Sequence, residues 1–407
     1  MTRAHGALLW AFFVVVHAIL VTENLVAPNG PLGDVQNTYP LWWSQAMAGY
    51  GLPGLTTTGV YPFLSLAPIA VAAAGVGAWF TMVIALDAVA LAVVARRSPL
   101  AGWVWLGFQV ALGPIAVGRI DAVTVALAVI AVTVLDRSPR TAGVLVAIAT
   151  WVKVWPVALG VAAIRSPRFG VFARWSFLSA LAIAAVGVIV GDHLAVFSFL
   201  SEQQGRGIQV ESVAATPWLW DSFAGGDSTI AFSPSIYTFE VDGHGIALMA
   251  KLLTVVQVAV ALGIVALLLS HRRTVGSVTP ATFGYALLAL VALLVAVNKV
   301  GSPQFVSWFA VPIVAIVLAR EPRGSSALLA ITGSIAVLTH LVYPYVYFRF
   351  LELQTIPLVL ITVRNLLEVV LFVTALVVLV THLRLEKALH QGADLNVGDE
   401  ESVVPVR

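Results

Sequence analysis

Apolar runs long enough, or nearly long enough, to cross a bilayer recur at about 7–26, 77–95, 99–117, 121–135, 172–190, 247–270, 279–297, 303–319, 325–343 and 356–381. They limit what this chain can fold into more than any other feature. In hydrocarbon every backbone N–H and C=O must be satisfied within its own segment, so each run is predicted to be a helix. Two shorter runs, about 141–152 and 154–164, flank Lys153 and Pro156 and read as a hairpin of short helices. The chain is therefore predicted to be an all-α, polytopic membrane protein of about twelve crossings. Composition agrees, because 60% of the 407 residues are hydrophobic and only 10% are charged, which excludes a water-soluble domain. Arg3 and the run 8–26 have the form of a signal sequence, but no small-x-small cleavage site follows, so the run reads as a retained first helix. The stretch 61–74 either lies along the interface or enters the membrane before the Gly75-Val76-Gly77 break.

Basic residues sort these runs by side. Starting from a cytoplasmic Arg3, alternation places Arg96-Arg97, Arg137 with Arg140, Arg165 with Arg168 and Arg174, Arg272-Arg273, Arg320 with Arg323, and Arg384 with Lys387 together. Both termini are then cytoplasmic. The outer side receives two long loops, about 28–76 and 191–246, together with Gly118-Arg119-Ile120-Asp121, Lys153, Asn298-Lys299 and the stretch 343–353. Residues 1–389 form one membrane unit in this reading, and the polar tail 390–407 is predicted to be disordered. The second outer loop is acidic, but its Trp218, Trp220 and Phe223 predict a folded cap on the membrane and not a linker.

Of the 22 Lys and Arg residues, Arg119, Lys153, Arg206, Lys251, Lys299, Arg349 and Arg364 remain at or near the outer face. A cation there costs about 2.5–3.5 kcal/mol unless it is paired or wet. Arg119 has Asp121 two residues on, Arg349 has Glu352 at i+3, and Arg364 has Glu368 at i+4. Lys251 is placed to snorkel. Lys153, Arg206 and Lys299 have no acidic neighbour in sequence, so each either pairs with a distant carboxylate, Glu211 for instance in the case of Lys299, or awaits an anionic ligand. Asp87 reads as a packed polar residue, and His17, His193, His244 and His340 as hydrogen-bonded structural histidines.

The first outer loop opens with Gly33-Asp34-Val35-Gln36-Asn37-Thr38-Tyr39-Pro40. A carboxylate such as Asp34, just past the end of a membrane helix, can meet a lipid-borne substrate while remaining wet. Its alternative is a solvated aspartate that ends a turn. Cysteine is absent, so no disulfide framework and no thiolate chemistry are available. There is no glycine-rich phosphate loop and no metal-ligand spacing, and the scattered basic residues form no patch for nucleic acid.

The order of short motifs resembles the polyprenol-phosphate-mannose-dependent mannosyltransferases of the C-type glycosyltransferase superfamily, in the subgroup common in bacterial cell-envelope assembly. The matching pieces are Asp34 with Tyr39, Gly49-Tyr50-Gly51-Leu52-Pro53, Tyr61-Pro62, Gly118-Arg119-Ile120-Asp121 and Lys153-Val154-Trp155-Pro156. After them come Arg206-Gly207-Ile208-Gln209-Val210-Glu211-Ser212, Asn298-Lys299-Val300-Gly301-Ser302-Pro303-Gln304-Phe305 and Tyr343-Pro344. Tyr61-Pro62-Phe63 departs from the usual Tyr-Pro-Pro, and Gly118-Arg119 stands where Gly-Gln is common. These departures bear on the acceptor and on the shape of the outer groove.

The resemblance implies the C-type glycosyltransferase fold in a plasma membrane, with the site on the extracytoplasmic face. It implies inverting transfer of a mannosyl residue from a polyprenol-phosphate donor to an envelope glycolipid or glycan. Asp34 is then the base, and Tyr39, Arg119, Asp121, Lys153, Arg206, Glu211, Lys299, Ser302, Gln304 and Tyr343 are the substrate-binding residues. The chemistry suits the residues: phosphate leaves readily, so one carboxylate base suffices where glycoside hydrolysis needs two. Lys299 and Arg206 would stabilise the departing phosphate, and Trp42, Trp43 and Trp218 either stack on sugars or anchor at the interface. No cofactor or metal is called for. The same motifs fit an arabinosyl or glucosyl transferase. The rivals from other classes are a lipid or sugar transporter, which should show half-repeats and midplane charges, and a non-catalytic assembly subunit.

Overall fold

The computed structural model describes residues 3–165, 168–202, 205–234, 238–276, 278–320 and 325–400. The described residues are 79% helical. Among the described residues, seven helices are long and apolar enough to cross a membrane, and five shorter apolar helices of 10–17 residues accompany them.

The first helix, α1, is Arg3–Val26. The first loop is itself largely helical, with a wide turn at Asp34–Thr38 running into α2 (Tyr39–Gln45) and then α3 (Leu66–Ala73). Gly75, at φ +118°, breaks α3 from α4 (Val76–Arg97). Next come α5 (Pro99–Leu112), α6 (Asp121–Val134), α7 (Pro139–Val152), α8 (Val157–Ala162) and α9 (Phe169–Val190). The short helices α7 and α8 flank Lys153 and Pro156, as the sequence predicts.

The second loop holds α10 (His193–Val196), α11 (Phe199–Glu202), β1 (Ile208–Gln209), α12 (Thr216–Phe223), β2 (Thr229–Ser233) and β3 (Thr238–Asp242). Its strands form an antiparallel sheet in the order β1-β3-β2. The fold is all-α in class, as expected, and this small sheet is confined to the cap, where the extended segments satisfy their backbones by pairing with one another. The remaining helices are α13 (Ile246–Val275), α14 (Pro280–Ala296), α15 (Ala310–Leu318), α16 (Ser325–His340), α17 (Tyr347–Leu351) and α18 (Thr355–Glu400). α18 is continuous to Glu400 and so includes the first part of the tail. Residues 401–407, at the end of that tail, lie outside the described residues.

The centre of the bundle is built from short helices. Nearly every side chain of α6, α14 and α15 is buried, which is how an all-round apolar helix is accommodated. The longer α9 and α13 lie outside, with 6% and 11% of their most apolar windows buried. A helix of 14 residues such as α6 rises about 21 Å, less than the roughly 30 Å of hydrocarbon in a bilayer. At mid-height Asp87 accepts hydrogen bonds from Gln109 Nε2 (2.7 Å) and meets His17 Nε2 (3.1 Å), which ties α1, α4 and α5 together. The cap has its own core, in which Ile208, Val210, Leu219 and Val241 pack on Phe350, Leu358 and Ile361. Trp220 Nε1 donates to Thr362 Oγ1 on α18 at 2.9 Å.

Candidate functional site

Asp34 is presented by the way α1 ends. Asn29 and Gly30 both take positive φ, turning the chain sharply, and buried Leu32, Val35 and Tyr39 then anchor one face of the helical turn that follows. Asp34 is left on the flank, with its side chain 32% exposed. The Tyr343 hydroxyl lies 3.4 Å from the Asn29 and Gly30 carbonyls, and Asn29 Nδ2 donates to the Pro344 carbonyl.

Arg119 reaches this turn from the start of α6. Its Nη1 lies 3.6 Å from Asp34 Oδ2, and its Nη2 donates to the Tyr343 hydroxyl at 2.9 Å. The expected pairing of Arg119 with Asp121 does not form, because residues two apart at a helix start point in different directions. Arg119 is only 7% exposed, yet its Nε and Nη1 have no hydrogen-bond partner among the described residues. The fork of donors is thus only partly used.

Asp121 is instead bound to Lys153. Its Oδ2 accepts from Lys153 Nζ at 2.7 Å and its Oδ1 from Trp308 Nε1 at 2.6 Å. With both oxygens engaged and the side chain fully buried, Asp121 holds other groups in place and presents nothing to a ligand. Lys153 Nζ also lies 5.4 Å from the Tyr61 ring centre and 4.9 Å from that of Phe305, so aromatic faces stabilise it as well. Trp308 stacks on Trp155 with ring centres 5.3 Å apart and planes at 10°. Lys153 is thereby the cation whose distant partner the sequence left open.

Segments 206–212 and 298–304 lie backbone against backbone. Gln209 N–H donates to the Lys299 carbonyl at 2.9 Å. A Cβ on Gly301 would sit 2.1 Å from Ser212 N, so only glycine allows this approach. Ser302 stands just before the following 3-10 turn without a side-chain capping hydrogen bond, and Gln304 is buried within that turn at 7% exposure. Lys299 has its pKa lowered by burial and by Arg206, an effect that Glu240 opposes. Glu240 lies across from Gln209 in the sheet. Glu240 is thus a carboxylate whose field reaches Lys299, while the Glu211 side chain meets Tyr347. Arg206 Nε is buried without a hydrogen-bond partner among the described residues, and the charge of Arg206 reaches Tyr61, Lys153 and Lys299.

Glu211 lies beneath the cap at 6% exposure. Burial pushes its pKa up to about 7, against the opposing pull of Arg364 and of a hydrogen bond from Tyr347. Arg364 Nη2 donates to the Glu211 carbonyl and to Asn365 Oδ1, and Arg364 meets Glu368 at 3.5 Å as the i,i+4 spacing predicts. The Tyr347 ring packs 5.2 Å from that of Tyr343, so polar side chains run from Asp34 through Arg119 and the two tyrosines to Glu211. Tyr39 is buried with its hydroxyl unpartnered among the described residues, and burial together with Asp34 raises its pKa.

One end of the bundle thus collects Asp34, Tyr39, Arg119, Asp121, Lys153, Arg206, Glu211, Lys299 and Tyr343, with Ser302 and Gln304 just behind Lys299. Sequence reasoning gave no role to Trp308, Phe305, Tyr347 and Glu240. The first three are aromatic residues inside or beside apolar runs, where only their polar tips or ring faces give a signal. Among the described residues no three His, Cys, Asp or Glu side chains cluster as metal ligands would. A scan against protein-family models finds no match, and neither do searches of curated proteins and of solved structures.

Proposed function

We propose that this chain is a glycosyltransferase of the C-type superfamily with about twelve crossings. It would move a mannosyl residue from a polyprenol phosphate to a hydroxyl of an envelope glycolipid or glycan, on the extracytoplasmic face of the plasma membrane. The observation that carries the reading is the half-used guanidinium of Arg119, buried 3.6 Å from the accessible carboxylate of Asp34. Buried donors without partners are costly, and an anionic oxygen of a bound substrate is a simple partner for them.

In the proposed reaction Asp34 takes the proton of the acceptor hydroxyl as that oxygen attacks the anomeric carbon of the donor. The bond from that carbon to the phosphate oxygen breaks, and the electron pair leaves with the lipid phosphate. Attack opposite the leaving group inverts the anomeric centre. Arg206 and Lys299 meet the charge growing on the phosphate. Asp121, with both oxygens engaged, keeps Lys153 in place.

The test is incubation of the purified protein in detergent with labelled polyprenol-phosphate sugars and a membrane lipid extract. Transfer of label from the mannosyl donor into glycolipid is the expected result. No transfer from any polyprenol-phosphate sugar, by a protein shown to be folded, would remove the reading.

A further inference from the structure

We propose that a cleft beside the site, between the loop carrying Thr56, Thr57 and Thr58 and the helix α10, takes the neutral, polyhydroxylated headgroup of a membrane glycolipid. Calling that glycolipid the acceptor rests on the transfer proposed above. The cleft has a volume of about 700 Å³ and includes none of the residues gathered around Asp34.

Its walls are built and held. Gly191 approaches Leu55 so closely that a Cβ would lie 2.2 Å from the Leu55 carbonyl, and Asp192 N–H donates to that same carbonyl at 2.7 Å. Buried Ser198 accepts a hydrogen bond from Gly59 N–H at 2.9 Å. Leu52 N–H donates to Thr56 Oγ1 at 2.7 Å and Gly54 N–H to the Thr57 carbonyl at 2.8 Å, which fixes the threonine loop on itself. The spacing of Gly187 and Gly191, which suggests close helix packing, serves this loop instead, since Gly187 receives the ring of Phe63.

The lining says what fits. Three exposed threonines offer hydroxyls that both donate and accept, as sugar hydroxyls require. No lysine or arginine lines the cleft, and its one carboxylate, Asp192, has His193 3.8 Å away. A phosphate would find no cation here, whereas Arg119, Arg206 and Lys299 stand in the neighbouring cluster. The lining carries exposed apolar residues, Leu194 at 74% and Phe197 at 44%, and its Asp192 is two residues past the end of α9, where Ile189 and Val190 are 82% and 67% exposed. An occupant that uses both parts has a hydroxylated head and an alkyl tail lying along α9. The cleft also adjoins the site, because Thr58 is three residues from Tyr61, whose ring faces Lys153. Three residues of chain reach at most about 11 Å.

The experiment uses the full-length protein in phosphatidylcholine nanodiscs with two photoactivatable lipids of identical acyl chains. One carries a mannosyl head and the other a phosphoglycerol head. The mannosyl probe is expected to label peptides covering 52–60 and 192–201 about ten-fold more than the phosphoglycerol probe does. Thr57→Trp, a bulky change at an exposed position, should lower that labelling by a similar factor, and Leu194→Trp in the lining should lower it too. Equal labelling by the two heads, or labelling that neither variant changes, overturns the proposal. Selective labelling without transfer activity keeps the glycolipid site and removes the transferase reading. Transfer with an acceptor KM that Thr57→Trp leaves unaltered removes the site and keeps the transferase.

Discussion

Arg119 Nη1 stands 3.6 Å from Asp34 Oδ2, and the same guanidinium donates through Nη2 to the Tyr343 hydroxyl at 2.9 Å. One side chain thus joins the turn after α1 to the start of α6 and to the bend that follows α16. It fixes the direction of the carboxylate that the proposed reaction uses as its base.

Asp34→Asn keeps the size and polarity of the side chain and removes its basic oxygen. Transfer should fall by about 10²- to 10⁴-fold, with little change in melting temperature because Asp34 is one-third exposed. Steady-state rates with saturating donor check this, and turnover near the wild-type rate would sink the assignment.

Lys153 and Asp121 should behave as a buried pair. Lys153→Met or Asp121→Asn alone leaves a charge or a polar group without its partner, and should cost about 3–5 kcal/mol of stability. The double variant should recover most of that loss. Thermal unfolding of the three variants in one detergent measures the coupling, and additive losses would rule the pair out.

Lys299→Gln should weaken donor binding or slow transfer by about ten- to a hundred-fold, the size of a lost charge-assisted hydrogen bond. If Lys299 instead served only to balance Glu240, the same change would lower the melting temperature. Adding Glu240→Gln would then restore it, with the donor constant unmoved. Donor titration alongside thermal melts separates the two outcomes.

Glu211 gives a pH dependence with a definite sign. Its pKa rises on folding from the ordinary 4.5 to about 7, so the folded state holds this proton more tightly than the unfolded chain does. The stability it contributes is complete below about pH 4.5 and is lost as the pH rises through about 7, a change of about 3 kcal/mol. Glu211→Gln still accepts from Tyr347 and has no proton to lose. Melting temperatures taken from pH 5 to pH 8 should therefore fall less steeply in the variant, and parallel curves would show that Glu211 does not titrate there.

Sidedness can be read by labelling cysteines placed in this cysteine-free chain. Asp227 in the cap and Thr274 near the end of α13 are exposed and suit this. Asp227→Cys should react with an impermeant maleimide from outside, and Thr274→Cys only after the membrane is opened. Equal reaction of both in intact cells would overturn the topology.

What the sequence showed and what it hid have physical reasons. Helix positions, the break at Gly75 and the short helices around Lys153 were legible because hydrocarbon imposes a length and a polarity on every run. Ion pairs were not. Arg119 has an acidic residue two positions on and passes it over for one on another helix, and Lys153 takes that residue instead. The sheet in the cap was hidden as well. β1 has two residues, and β2 and β3 are largely exposed or half-buried, so their side chains carry little of the alternation that marks a strand. The site residues could be named from motifs, but their division into groups that hold one another and groups left with unused donors needed three dimensions.

The stacked indoles of Trp155 and Trp308, nearly parallel with ring centres 5.3 Å apart, have a spectroscopic consequence. Two chromophores at that distance share their excitation, and such coupling shows as paired bands of opposite sign in circular dichroism when the two transition moments are skewed. One indole donates to Asp121 and the other to Thr124, so any shift of the floor beneath Lys153 changes their mutual angle. The chain carries a built-in optical gauge of its own interior, readable without a label while a lipid is titrated in.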